Sequence, residues 1–183
     1  MEPSINNLVI RYTNKTSHPI YFKHQDKNRK IGLGLDGAHS PFGVERYNNS
    51  LVLNIEKPTS GPKTELDKWD SIKKIEAIFQ NLPSMDQESI PPRLDRLKQL
   101  IGDRQFNPST RQRRKFPILL RTRLHTRFGV VVNGKRYDKP FKHLPGCFRV
   151  ILNSIWIKGD NYGLNWLTSE VDLDPKVLDP TIG

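Results

Sequence analysis

One stretch of this sequence repeats its apolar residues with the period of a helix, and β-type sequence lies on both sides of it. From Glu65 to Leu82, apolar side chains recur at three- and four-residue spacing, which predicts an amphipathic helix. These side chains are Leu66, Trp69, Ile72, Ile75, Ile78, Phe79 and Leu82. Thr64 with Asp67 forms a start signal, and Pro83 ends the pattern. A helix with one apolar face must bury that face, so the flanking sequence has to supply a packing partner.

The flanking sequence predicts strands. Short runs rich in β-branched and aromatic residues cover 8–13, 20–24, 50–56, 118–125, 148–158 and 164–168. Asn133-Gly134, between residues 130–132 and 135–137, is typical of a tight hairpin. A second short helix is expected from Arg93 to Ile101, after Pro91 and Pro92. The pattern predicts an α+β fold with a mostly antiparallel sheet, one long amphipathic helix and a second short helix.

The domain organisation follows from length and from local composition. A chain of 183 residues fits a single compact domain, which we place at residues 1–168. Residues 103–117 contain little apolar material and predict a mobile basic loop inside that domain. Residues 169–183 carry two prolines and several carboxylates, and they predict an acidic, loose C-terminal tail.

The charge is concentrated in one segment. The formal net charge is +11, and residues 104–159 alone hold 14 basic residues against one acid, Asp138. Like charges at this density repel one another and raise the free energy of the folded state unless a counter-charge is near. The counter-charge can be a phosphate backbone, an anionic lipid surface, or the acidic C-terminal residues Glu170, Asp172, Asp174 and Asp179.

The segment divides into three candidate contact groups. The loop carries Arg111, Arg113, Arg114 and Lys115; one strand face carries Arg121, Arg123 and Arg127; the hairpin and its exit carry Lys135, Arg136, Lys139 and Lys142. Alternate strand residues lie about 6.5–7 Å apart, comparable to the phosphate repeat of a nucleic-acid strand. Three aromatic residues interleaved with these cations are candidates for base stacking, with core packing as the alternative for each: Tyr137, Phe141 and Phe128.

Catalytic and cofactor motifs are missing. Gly32, Gly34 and Gly37 spell GxGxxG, but polar sequence precedes them and no helical pattern follows, so we expect a flexible glycine-rich loop. No CxxC, HxH, HExxH, GxSxG or P-loop pattern occurs. A zinc site built from Cys147, His143 and a distant ligand stays open, although a buried small side chain is the simpler interpretation of Cys147. We therefore expect no catalytic residue, no cofactor and no metal.

Nucleic acid is the expected partner. Both predicted helices are nearly balanced in charge, so binding through strands to RNA or another single strand is favoured over a helix in the groove of duplex DNA. In size, basicity and lack of catalytic motifs the chain resembles small viral structural or accessory proteins, matrix-type ones included, by composition and not by motif.

Two alternatives stay open. One is a matrix-type virion protein that binds an anionic membrane and the nucleocapsid, with Phe106 and Phe116 inserting into lipid and the acidic tail joining copies of the chain. The other is a metal-dependent nuclease that uses Glu170, Asp172 and Asp174, since these acids alternate along the chain.

An intracellular location is expected. The start MEPSINN lacks the basic and apolar regions of a signal peptide, and one cysteine excludes an intramolecular disulfide framework. The basic cluster at residues 111–115 is typical of a nuclear import signal. The sequence thus favours the cytoplasm or the nucleus, with the virion as a further place.

Overall fold

A computed structural model describes residues 2–47, 50–124, 130–137 and 145–173. They form a mixed α/β architecture with a large sheet and two α-helices, α1 (Lys63–Asn81) and α2 (Asp95–Ile101). Short 3-10 turns occupy Leu82–Ser84, Gln87–Ser89 and Pro92–Leu94. The strands are β1 (Leu8–Ile10), β2 (Ser17–His24), β3 (Lys27–Arg29), β4 (Ile31–Ala38), β5 (Val44–Tyr47), β6 (Ser50–Glu56), β7 (Gln105–Phe106), β8 (Thr110–Arg113), β9 (Phe116–Leu124), β10 (Val130–Val132), β11 (Lys135–Tyr137), β12 (Gly146–Lys158) and β13 (Asn161–Leu173).

The predicted helices form close to their expected positions. The long helix predicted for 65–82 is confirmed as α1, and the short helix predicted for 93–101 is confirmed as a 3-10 turn followed by α2. The hairpin at Asn133-Gly134 is also confirmed, because both residues have positive φ and β10 pairs antiparallel with β11. In the described residues, no helix is long and apolar enough to cross a membrane.

Contacts between residues divide the chain into two compact units. Unit 1 takes the described residues of 1–31, 70–109 and 152–165, and unit 2 takes those of 32–69, 110–151 and 166–183. The domain boundaries expected from sequence stay a prediction. Residues 103–117 include β7, β8 and the start of β9, while residues 169–173 continue β13.

Unit 1 is organised around β2. This strand pairs antiparallel with β1, β3 and part of β12, and β7 runs parallel to the start of β13. Alternation along β2 buries His18, Ile20 and Phe22, as expected for a strand with one covered face. The other buried residues of the unit 1 core include Leu8, Ile72, Ile75, Phe79, Leu97, Ile101 and Tyr162.

Two buried polar groups in unit 1 have definite partners. The Tyr162 hydroxyl donates a 2.8 Å hydrogen bond to the carbonyl oxygen of Phe79, near the end of α1. The carboxylate of Glu76 accepts a 2.7 Å hydrogen bond from the backbone N–H of Ser109. Glu76 is only 4% exposed, so this hydrogen bond satisfies a buried carboxylate.

The sheet of unit 2 has β9 at its centre. One edge of β9 pairs antiparallel with β6, which in turn pairs with β5. The other edge pairs with β8 and then, in parallel, with β13 at Leu167 and Thr168. Beyond that point β13 runs parallel to β10. Antiparallel and parallel pairs therefore both occur.

The glycine-rich stretch forms β4 and not a flexible loop, which corrects the expectation from sequence. β4 pairs with β12. A Cβ on Gly34 would stand 3.3 Å from the Sγ of Cys147, so the absence of a side chain permits this close approach. Burial and a hydrogen bond to Asp36 raise the pKa of Cys147 to about 12, which keeps this thiol protonated and unreactive near neutral pH.

Candidate nucleic-acid interface

Strand β9 separates apolar from basic side chains by strict alternation at its end. Leu120, Thr122 and Leu124 are buried, while Arg121 and Arg123 are exposed. The Thr122 hydroxyl lies 2.9 Å from the carbonyl oxygen of Leu53 and 2.6 Å from the hydroxyl of Thr168, so its burial leaves no unsatisfied polar atom. The two arginines consequently face away from the core of unit 2.

The strand register defines which residues share that outward side. Directly opposite residues of an antiparallel pair lie on one face of the sheet. Across β6 and β9, Arg121 is opposite Asn54 and Arg123 is opposite Val52; across β8 and β9, Arg111 is opposite Leu119. We call this side the basic sheet face. Its exposed members are Glu45, Tyr47, Arg111, Arg121 and Arg123; Ser50, Asn54 and Glu56 are partly covered, and Val52 and Leu119 are buried.

An exposed aromatic ring lies on the basic sheet face. Tyr47, at the end of β5, is 55% exposed, and the guanidinium carbon of Arg121 stands 4.7 Å from its ring centroid. Nearby, the amide of Asn54 donates a 3.2 Å hydrogen bond to Glu45, so this carboxylate has a neutral partner. An aromatic ring beside an exposed guanidinium is the arrangement that favours base stacking together with phosphate contact.

Arg113 differs from the other cations of the predicted contact set, because its own chain neutralises it. One terminal nitrogen of its guanidinium donates a 2.6 Å hydrogen bond to the carboxylate of Glu56. The guanidinium carbon also stands 4.7 Å from the ring centroid of Phe116 and 5.9 Å from that of Phe42. Arg113 belongs to the predicted contact set, but its charge is already paired with Glu56.

Other predicted cations lie on exposed connections. Arg114 and Lys115 are exposed in the turn from β8 to β9, and Lys135 is exposed in the β10–β11 hairpin. This hairpin is fixed to β13, since the side-chain oxygen of Asn133 accepts a 2.7 Å hydrogen bond from the N–H of Leu173. Within the described ranges, no carboxylate forms an ion pair with Arg111, Arg114, Lys115, Arg121, Arg123 or Lys135.

Part of the predicted set falls outside the described residues. Those positions are Arg127, Phe128, Lys139, Phe141 and Lys142. For Arg136 and Tyr137, the backbone lies in β11, and their side chains are outside the described part of the chain. The three stacking residues predicted from sequence therefore stay predictions.

Sequence reasoning missed the aromatic residues that the structure exposes. Tyr47 and Phe42 were not candidates, and Phe116, which is 59% exposed, was considered only for insertion into lipid. The available signal was the run Val44–Tyr47, a short β-type sequence just before β6. Phe106 is partly buried, with its ring centroid 5.3 Å from that of Tyr162, so its ring packs within unit 1.

Acidic residues at the end of β13 contact a basic neighbour. Glu170 and Asp172 lie 3.5 and 3.9 Å from the guanidinium of Arg149. These two residues belong to the acidic series considered for a nuclease, whereas Asp174 falls outside the described residues. Among the residues with described positions, no group of three or more His, Cys, Asp and Glu is placed to hold a metal ion.

The geometry thus consists of exposed arginines and a tyrosine on one face of the sheet of unit 2. Exposed cations also occupy the β8–β9 turn and the β10–β11 hairpin. A scan against models of known protein families finds no match, and a search of curated proteins finds no similar sequence.

Proposed function

We propose that this protein binds single-stranded nucleic acid, RNA in the first place, through the basic sheet face and without catalysing a reaction. The observation that carries the proposal is that Arg111, Arg121 and Arg123 are exposed on one face together with Tyr47, with no ion-pair partner in the described residues. Arg121 and Arg123 stand two residues apart, so their spacing along β9 suits successive phosphates of an extended strand.

A single strand fits this surface better than a duplex. Strand-borne arginines beside an exposed ring contact phosphates and bases of an unpaired chain, as expected for binding without sequence preference. A duplex reader of the helix type would instead need a helix that carries several basic side chains for the major groove. α1 has four basic and four acidic residues, so it offers no such excess.

The proposal is tested by the salt dependence of binding. Fluorescence anisotropy would measure the Kd for a labelled single-stranded RNA, a single-stranded DNA and a duplex DNA between 50 and 300 mM KCl. We expect the double variant R121Q/R123Q to weaken RNA binding at least tenfold. It should also reduce the slope of log K against log salt by roughly 1.4, because each single-strand phosphate contact contributes about 0.7.

The control is a matched pair of cations in unit 1. Lys27 and Arg29 are also exposed and also stand two residues apart on one strand, β3, so K27Q/R29Q removes the same charge from another surface. If both double variants lose the same RNA affinity, the loss reflects only the lower net charge of the protein. That result would contradict a defined interface on the basic sheet face. Absence of RNA binding at 50 mM KCl would refute the proposal, and RNA cleavage in Mg²⁺ would refute its non-enzymatic part.

An anionic membrane is the second candidate partner, as in a matrix-type role. It is favoured by the exposure of Phe42 and Phe116, whose ring centroids lie 5.9 and 4.7 Å from the guanidinium carbon of Arg113, since apolar side chains beside cations suit a lipid headgroup surface. Flotation with phosphatidylserine vesicles and with phosphatidylcholine vesicles separates the candidates. Binding to the anionic vesicles without RNA binding would replace the first proposal with the second.

A further inference from the structure

Resting on the proposed function, we propose that Tyr47 is a base-stacking site and that Arg121 holds its ring while contacting the phosphate of the same nucleotide. The proposal assigns recognition of the base to a residue outside the segment that carries the charge excess, in an edge strand. It extends the proposed function from contact with the phosphates of a single strand to contact with an unpaired, accessible base.

Five contacts between a cation and an aromatic ring occur among the described residues. Four of them involve a partly buried member: Lys30 with Tyr21, Arg96 with Tyr12, and Arg113 with Phe42 and with Phe116. In the remaining contact, both Arg121 and Tyr47 are exposed. Among the described residues, only this pair therefore offers both an accessible ring and an accessible cation.

Two of the three other cations in these contacts already donate to the protein itself. Lys30 donates to the carbonyl oxygen of Asn153, and Arg113 donates to the carboxylate of Glu56. For Arg121 the structure gives no hydrogen bond or ion pair to a described residue beyond its strand ladder. A guanidinium that lies over a ring keeps its N–H donors at its edge, where they are free to meet a phosphate oxygen.

The ring of Tyr47 belongs to the last strand of the described order, β5. In the described residues the strand order ends at β5, so its outer edge has no strand partner. All four residues of β5 are exposed, and Tyr47 faces the same side as Arg121 and Arg123. A nucleotide approaching from the open edge can place its base on the phenol ring while the phosphates follow the arginines of β9.

The experiment compares wild type and the Y47A variant in their affinity for two probes, one with bases and one without. The two probes are a fluorescent nine-residue oligouridylate and an abasic ribose-phosphate strand of the same length, at fixed salt. We expect Y47A to weaken oligouridylate binding about 5-fold or more, with an unchanged salt slope, and to leave abasic-strand binding unchanged. Y47F keeps the ring and should retain wild-type affinity.

Tyr21→Ala is the matched control, because Tyr21 makes the same kind of cation–ring contact in unit 1. It should change neither affinity, and a melting curve checks that each variant is folded. Equal weakening of both probes by Y47A, or none, would overturn the stacking site. If wild-type protein binds the abasic strand as tightly as oligouridylate, the proposed function stands and the stacking inference falls. If it binds neither probe, the proposed function itself fails.

Discussion

The hydroxyl of Tyr162 completes a helix terminus that the backbone cannot complete. In an α-helix the carbonyl of Phe79 would accept from the N–H of residue 83, but residue 83 is proline and has no N–H. The Tyr162 hydroxyl donates to this carbonyl instead, at 2.8 Å. Tyr162 is 1% exposed, so water cannot easily replace the bond. One side chain on β13 therefore stabilises the end of α1.

We predict that Y162F lowers the free energy of unfolding by about 1–3 kcal/mol, because it leaves a buried carbonyl without a donor. Urea denaturation monitored by circular dichroism would measure the loss. Y47F is the control, since it removes a hydroxyl from a ring that is largely exposed. Equal stability of Y162F and wild type would show that the Phe79 carbonyl has another partner.

Lys30 gives a prediction for pH dependence. Burial lowers the pKa of Lys30 from 10.5 to about 8. Between these values the unfolded chain binds more protons than the folded chain, so the Lys30 contribution to stability rises with pH. We expect wild type to gain stability relative to K30Q from pH 8 to about 10, by a modest amount because Lys30 is partly exposed. If the free energies of unfolding of the two proteins change with pH in parallel, the pKa of Lys30 is not lowered by folding.

At the scale of elements, the turn between β8 and β9 has a structural cation beside two free ones. Arg113 pairs with Glu56 of β6, whereas Arg114 and Lys115 are exposed in the turn. We predict that R113Q costs about 1–3 kcal/mol, because it leaves a mostly covered carboxylate without its strongest donor. R114Q should stay within about 0.5 kcal/mol of wild type. Thermal melting measures both, and identical melting temperatures would show that the Arg113–Glu56 pair contributes nothing to folding.

Sequence patterns predicted those elements whose formation depends on residues close together in the chain. The helix predicted for 65–82, the Asn133-Gly134 hairpin and the alternation around Arg121 all follow from residues close in sequence. Gly34 of β4 was misassigned because its role is to admit a neighbouring strand, at Cys147, more than a hundred residues away. A glycine in isolation indicates flexibility, and only the packed neighbour reveals a close approach.

The candidate site was predictable only in part, for the same reason. Exposure of Arg121 and Arg123 follows from strand periodicity, so the sequence sufficed for them. Pairing of Arg113 with Glu56 and contact of Arg121 with Tyr47 depend on the register between strands distant in sequence. Charge counting treats all these cations alike, whereas the strand register divides them into neutralised and available ones.

At the scale of the whole molecule, the ion pairs between described residues involve only three Lys and Arg side chains. In the described part of the chain, Lys68 pairs with Glu65, Arg113 with Glu56, and Arg149 with Glu170 and Asp172. The acidic residues nearest the C-terminal tail are thus placed on Arg149 and not on the arginines of the basic sheet face. The exposed arginines of the basic sheet face have no ion-pair partner among the described residues, so we expect them to attract an external anion.

Two truncations test whether the acidic tail controls binding or self-association. Ending the chain after Leu173 removes two acidic residues and one basic residue, so the formal net charge rises only from +11 to +12. Because this change is small, we expect RNA affinity to change less than about twofold. Ending it after Ser169 also removes the buried side chains of Val171 and Leu173 and both partners of Arg149, so this protein should be less stable by about 3 kcal/mol or more.

Anisotropy with the single-stranded RNA, thermal melting and light scattering on a sizing column would compare the two truncations with the full chain. A tenfold gain in RNA affinity after removal of residues 174–183 would show that the tail competes with RNA for the cations, and would contradict the view that its charge matters little. If removal of residues 174–183 abolishes oligomers of the full chain, the result would support self-association through the acidic tail. If both truncations melt alike, the end of β13 adds no stability, contrary to the burial of Val171 and Leu173.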